Sequence, residues 1–146
     1  MNKKFLIKIS LVTAIVFSLT ACDKEVVMSP SDIPGKITSY VSTHFPGNTI
    51  IQAIKDIDGF TKTYEILLSE DISLVFNSKK EIIDIDGTTQ LPNSVIPEKI
   101  LQYVTANYPI NFITDWELDG KNQQVQLDNE LELLFNMKGD FLRIDY

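Results

Sequence analysis

The side chains that could do chemistry in this chain are one histidine, one cysteine and a surplus of acids, 20 Asp and Glu against 13 Lys and Arg. His44 has no serine or cysteine set beside it by any motif, and a catalytic triad needs nucleophile, base and orienter in contact. At the end of a helical stretch a histidine also suits the helix dipole. Asp56-x-Asp58-Gly59 and Asp84-x-Asp86-Gly87 open like calcium loops. Such a loop needs further oxygens at its fifth and seventh positions and a glutamate at its twelfth. The twelfth positions here are Leu67 and Val95, so both stretches read as hairpin or linker turns. Nothing pairs Cys with His for zinc, and no glycine-rich phosphate loop is present. Asp115/Glu117 and Asp84/Asp86 stand two apart, so each pair shares one face of a strand. Acid–base work there would need a pKa raised by burial, and an open, solvated face predicts no such shift. Trp116 could stack on a sugar, but its alternation with Leu118 favours a place in the core. The reading is of a protein that is not an enzyme, with no catalytic residues, no cofactor and no metal.

Cys22 carries a different chemistry. Lys3, Lys4 and Lys8 precede an apolar run, Leu11 to Phe17, that is too short to span a bilayer. The run leads into Leu19-Thr20-Ala21-Cys22, which closely resembles the bacterial lipobox. That resemblance implies a signal peptide over 1–21, cleavage before Cys22 and acylation of its thiol. Two or three acyl chains, at roughly 0.8 kcal/mol per buried methylene, hold a protein stably on a membrane. Residues 22–30 then read as a tether, with Asp23-Lys24-Glu25 either a sorting signal or simply solvated. The expected location is the bacterial cell envelope, on the periplasmic or the surface side. The membrane is the first expected partner.

Bulk composition narrows the rest. A chain of 146 residues with 44% hydrophobic and 23% charged side chains is globular. The formal charge is −7, and without 1–21 ten basic side chains face twenty acidic ones, about −10. That excludes nucleic acid, which needs a basic footprint, and weakly favours a cationic partner. A single cysteine allows no internal disulfide.

The elements that must position any site come from a repeat. Ile33 to Asn48, IPGKITSYVSTHFPGN, returns as Ile96 to Asn111, IPEKILQYVTANYPIN. Asp58-Gly59 is answered by Asp119-Gly120, and Phe76-Asn77 by Phe135-Asn136. One unit of roughly sixty residues is used twice, a first repeat at 31–87 and a second at 94–146, joined by a linker at 88–93. Ile33, Ile37, Tyr40, Val41 and His44 follow helical spacing, as do Ile96, Ile100, Tyr103 and Val104. Ser31 or Asp32 is the expected cap of one helix and Ser94 of the other. Pro46 and Pro109 must end both. After each helix come four short alternating runs: Thr49–Lys55, Thr61–Leu68, Ile72–Asn77 and Glu81–Asp86, then Phe112–Leu118, Gln123–Asp128, Leu131–Phe135 and Phe141–Tyr146. Connections this short join antiparallel neighbours. The expected fold is α+β, a tandem repeat of helix plus four-stranded antiparallel meander. Both helices pack on one face of a shared eight-stranded sheet, with Tyr40 and Tyr103 buried in equivalent places. Alternation turns Tyr64, Ile66, Leu74, Phe76, Val125, Leu133, Phe135, Leu142 and Ile144 toward the helices.

A proline-led helix ending in Tyr/Phe-Pro, strands with Asp-Gly turns and an aromatic-Asn hairpin resemble the PepSY-like, β-lactamase-inhibitor-like lipoprotein family. The resemblance covers nearly all of the mature chain. It implies a non-catalytic lipoprotein whose open sheet face binds a protein partner such as a hydrolase, whether or not binding inhibits it. It does not imply β-lactamase as the target, because the secreted inhibitor's repeats carry disulfides that this chain cannot form. The face turned away from the helices should then contribute Glu65, Val75, Glu117, Gln126, Glu132, Leu134 and Arg143 to the contact with a partner whose identity is unknown. The alternative is a structural or assembly lipoprotein that inhibits nothing.

Overall fold

The computed structural model describes residues 23–145. The signal peptide and the lipidation expected at Cys22 lie outside the described residues. Two α-helices and one nine-stranded antiparallel sheet make up the α+β fold. In chain order they are β1 (Asp23–Val27), α1 (Gly35–His44), β2 (Ile50–Asp58), β3 (Thr61–Leu68), β4 (Ile72–Phe76), β5 (Ile82–Asp86), α2 (Glu98–Asn107), β6 (Ile113–Asp119), β7 (Asn122–Leu127), β8 (Glu132–Asn136) and β9 (Phe141–Asp145). The strands lie side by side in sequence order, so every neighbour in the chain is a neighbour in the sheet.

The ninth strand corrects two expectations. Residues 22–30 were expected as tether, and the sheet was expected to have eight strands; instead Asp23–Val27 pairs along β2 from Asp23 opposite Asp58 to Val27 opposite Ile54. DKEVV has no apolar periodicity to announce a strand. Its ladder is built from backbone groups, and it covers an edge of β2 that would otherwise present unpaired N–H and C=O groups.

Proline sets both ends of both helices. Pro34 and Pro97 occupy the N-cap positions with extended backbone, and their carbonyls accept from the amides of Ile37 and Ile100. The caps expected at Ser31, Asp32 and Ser94 fall instead in single 3-10 turns just upstream. The chain leaves each helix at Phe45 or Tyr108, whose amides still bond Val41 and Val104 carbonyls, and the next residue is Pro46 or Pro109. Ile37, Val41, Ile100 and Val104 are buried against the sheet. Tyr40 and Tyr103 do occupy matching places, each edge-on to a sheet phenylalanine, Phe76 or Phe135, at 5.4 Å. They are half-buried rather than buried, because the helix stripe is narrower than the sheet it covers.

One cross-strand row runs the width of the core face: Ala53, Ile66, Leu74, Ile85, Trp116, Val125, Leu133 and Ile144. Residues directly opposite in antiparallel strands share a face, so this row is the floor on which both helices sit. Trp116 is part of it, with its indole N–H donating to Gln123 Oε1 at 3.2 Å. Leu142 is not in the core. A bulge between Leu134 and Phe135 puts Phe141 opposite Phe135 and Arg143 opposite Leu134, so Leu142 is left unpaired and 48% exposed. Phe141 takes the core place, stacked on Tyr103 at 4.6 Å.

Candidate functional site

On the face away from the helices, two further rows run across the sheet. The first is Ile54, Glu65, Val75, Asp84, Glu117, Gln124, Leu134 and Arg143. The second is Gln52, Leu67, Ser73, Asp86, Asp115, Gln126, Glu132 and Asp145. All seven residues singled out from alternation therefore lie on one face, with Glu65 directly opposite Val75 and Gln126 directly opposite Glu132. They are not equally accessible. Glu65, Glu117 and Arg143 are exposed, and Val75, Gln126 and Glu132 are half-covered. Leu134 is only 1% exposed. Its flanking neighbours in the row, Gln124 and Arg143, carry long side chains on either side of it, so Leu134 is a satellite of packing on this face and offers a partner no surface.

The face divides along its width. The half built from β2 to β4 carries Ile54, Leu67 and Val75, apolar side chains of partial or full exposure. The middle, where β5 meets β6, is acidic. That junction has three paired positions: Asp84 opposite Glu117, Ile85 opposite Trp116, and Asp86 opposite Asp115. Two of the three bring like charges together on the open face, an arrangement that costs stability. Glu132 joins them from β8 around a depression of about 220 Å³. In these two rows Arg143 is the one cation, and its guanidinium is already 2.8 Å from Asp145.

The solvated-face expectation of unshifted carboxyls does not hold here. Partial burial, together with the charge of Asp86, pushes Asp115 up to about 6, even though the Thr114 hydroxyl donates to it. Burial first and Asp86 second raise Asp84. Burial raises Glu117 too, helped by Asp84, Asp119 and Glu132. The spacing of each pair was legible in sequence, since residues two apart share a face. What sequence did not reveal is that β5 and β6 are adjacent, which stacks one pair on the other. Asp86 and Asp115, named in the sequence only as members of carboxylate pairs, thereby join the residues of the open face. The Asp56 and Asp58 stretch is not a loop either. Both residues lie in β2, paired with Thr63 and Thr61, and the turn itself is made by Gly59 at φ 55°.

His44 gains a partner that no motif announced. Its Nδ1 lies 2.9 Å from Ser94 Oγ, with Tyr40 packed on the ring at 4.5 Å. No carboxylate orients the imidazole on its other side among the hydrogen bonds of the described residues, so the contact ties the end of α1 to the turn before α2 and does not assemble a triad.

No helix among the described residues is long and apolar enough to cross a membrane. Among curated proteins, none matches the chain. Three solved structures share the fold over most of their length. A "putative periplasmic protein" of Bacteroides vulgatus is 27% identical, with 86% of this chain and 99% of that one covered at a TM-score of 0.79. A "putative calcium-regulated periplasmic protein" of Bacteroides thetaiotaomicron is 28% identical, with 84% and 97% covered at 0.79. A second Bacteroides vulgatus periplasmic protein, of unknown function, is 29% identical, with 84% and 100% covered at 0.78. The family model described as "Putative beta-lactamase-inhibitor-like, PepSY-like" matches residues 18–84 and again 85–143. By that double match, spanning nearly all of the sequence, the chain belongs to the PepSY-like family.

Proposed function

We propose that this protein is a non-catalytic envelope lipoprotein, held on the membrane through Cys22, that binds a basic protein partner through the open face of its sheet. The observation that carries the reading is the acidic junction of β5 and β6. Two like-charged pairs face each other there, the carboxyls of Asp84, Asp115 and Glu117 are raised, and the only cation in the two rows is committed to Asp145. Folding bears a cost at that spot which a cationic side chain of a partner would relieve. Strained carboxyl clusters of this kind mark functional sites more often than chance. Ile54, Leu67 and Val75 beside the acids supply apolar contact, and a few such anchors inside a polar rim commonly dominate binding energy. The same reading takes the chain as two copies of one unit, which brings the acidic edge strands of each copy together at the centre of the face.

The test is charge reversal of Glu65, Glu117 and Glu132 together, against the partner recovered by crosslinking in envelope. The folded variant should associate more slowly and lose the salt dependence of the rate. If crosslinking gives no stoichiometric partner, the reading yields to the alternative of a structural lipoprotein.

A further inference from the structure

The antiparallel order places four hairpin tips, β2–β3, β4–β5, β6–β7 and β8–β9, along one end of the sheet. With strands about 4.8 Å apart, successive tips are about 10 Å apart in a line. Asp23, the first described residue, lies at the same end, opposite Asp58 beside the first tip. These tips carry four of the ten lysines and arginines of residues 23–145, and four more lysines lie beside them. Phe60 heads the first, Lys79 and Lys80 the second, Lys121 the third, and Met137 and Lys138 the fourth. Phe60 is fully exposed and Met137 is 56% exposed. Lys24 and Lys62 flank the first tip, each opposite Ile57. Both helices start here too. Lys36 Nζ donates to the Lys79 carbonyl at 3.3 Å, and Lys99 packs on Gly139. Acids are present at this end too: Asp140 is paired with Lys99 and Glu81 accepts from Asn77, while Asp58 and Asp119 close the first and third tips, Asp23 lies opposite Asp58 and Glu98 opens α2. At the opposite end, loops 45–49, 69–71, 108–112 and 128–131 hold no lysine or arginine, and they contain Glu70, Asp71, Asp128 and Glu130.

We infer that this row of tips is a membrane-contact edge that rests on anionic phospholipid headgroups. The lysines meet phosphates, Phe60 and Met137 enter the interface, and the acidic end points away from the bilayer. Basic side chains near an anionic surface attract it within a Debye length, and an exposed aromatic ring belongs at the headgroup level. The helix N-termini add their positive dipole ends on the same side. The inference rests on the anchoring at Cys22, because an acylated Cys22 is one residue, about 3.5 Å of chain, from Asp23. The anchor and the tips then hold the same end down. The open face would stand upright from the membrane, free for its partner.

Full-length protein isolated from membranes tests this, with tryptophan placed at the tips by Phe60→Trp or at the far end by Ile110→Trp. Ile110 is 90% exposed and makes a matched control. Intact mass reports acylation separately from contact. Vesicles of equal parts phosphatidylglycerol and brominated phosphatidylcholine should quench the Phe60→Trp protein at least threefold more than the Ile110→Trp protein. Each lysine contributes roughly fivefold to partitioning at such a surface. The triple variant Lys79→Glu, Lys80→Glu, Lys121→Glu should therefore lower quenching at position 60 to the level at position 110. Vesicles of phosphatidylcholine alone should do the same. Equal quenching at both ends, or quenching at 60 that ignores lysine charge and lipid charge, overturns the inference. A mass without acyl chains removes the anchoring, and the same contrast with added vesicles then decides whether the tips bind lipid unaided.

Discussion

Replacing Asp115 by Asn should make the protein more stable at neutral pH. Asp115 lies across from Asp86 at the β5–β6 junction, and its carboxyl is pushed up from 3.8 to about 6, first by burial and then by that neighbour. Below pH 4 the carboxyl holds its proton both folded and unfolded, and the shift costs nothing. As pH rises from 4 to 6 the unfolded chain gives up the proton while the fold retains it, so stability falls; above 6 the loss is complete and constant. At 1.36 kcal/mol per pH unit the ceiling is roughly 3 kcal/mol. The side chain is only half-covered, and solvent screens the charges, so about 1–2 kcal/mol is the expected penalty. An asparagine keeps an acceptor for the Thr114 hydroxyl and offers Asp86 an N–H donor in place of a like charge. Urea unfolding followed by Trp116 fluorescence reads the difference, since that indole is buried in the floor of the core beside Asp115. Asp115→Asn should gain about 1–2 kcal/mol over the native protein at pH 7 and little at pH 4. Asp86→Asn should gain less, because it removes the repulsion but leaves the Asp115 carboxyl buried, and the double variant should gain less than the sum, since both changes relieve the same repulsion. An equal gain at both pH values would mean better packing and not relieved charge. No gain at pH 7 would refute the account of the junction.

Other expectations follow from single contacts. Tyr40→Ala and Tyr103→Ala should each cost about 2–3 kcal/mol in chemical denaturation, below the value for a fully buried aromatic, since both rings are half-covered. Gly139→Ala should cost about 1–2 kcal/mol in thermal unfolding, as the residue sits at φ 80° and a new Cβ would lie 2.8 Å from Lys99 Cβ. Cys22→Ser should abolish partition into the detergent phase on cloud-point extraction; unchanged partition would remove the acyl anchor. Docking of a basic partner at pH 6 should release up to about half a proton as Asp115 completes its ionisation, visible as a buffer-dependent heat in calorimetry.

The sequence by itself determined the local geometry. Pro34, Pro46, Pro97 and Pro109 bracket two helices whichever sheet they meet, because a missing N–H and a fixed φ act within a turn. Alternation along each strand assigned the faces, since successive side chains must point to opposite sides, and Glu65, Val75, Glu117, Gln126, Glu132 and Arg143 were thereby placed together before any pairing was known. Three things belonged to the tertiary structure alone. DKEVV became an edge strand because β2 had unpaired backbone groups to offer, and such groups leave no mark on side-chain pattern. Leu142 left the core because a bulge inserts one residue, which period two cannot foresee, and Leu134 was covered on the open face by the strands packed on either side of it, which its own alternation does not name. The raised acids required β5 to lie against β6 across the long α2 connection. A carboxyl's pKa answers to whatever charge and low-polarity surface is brought within a few ångströms, and only the packed sheet decides which residues those are.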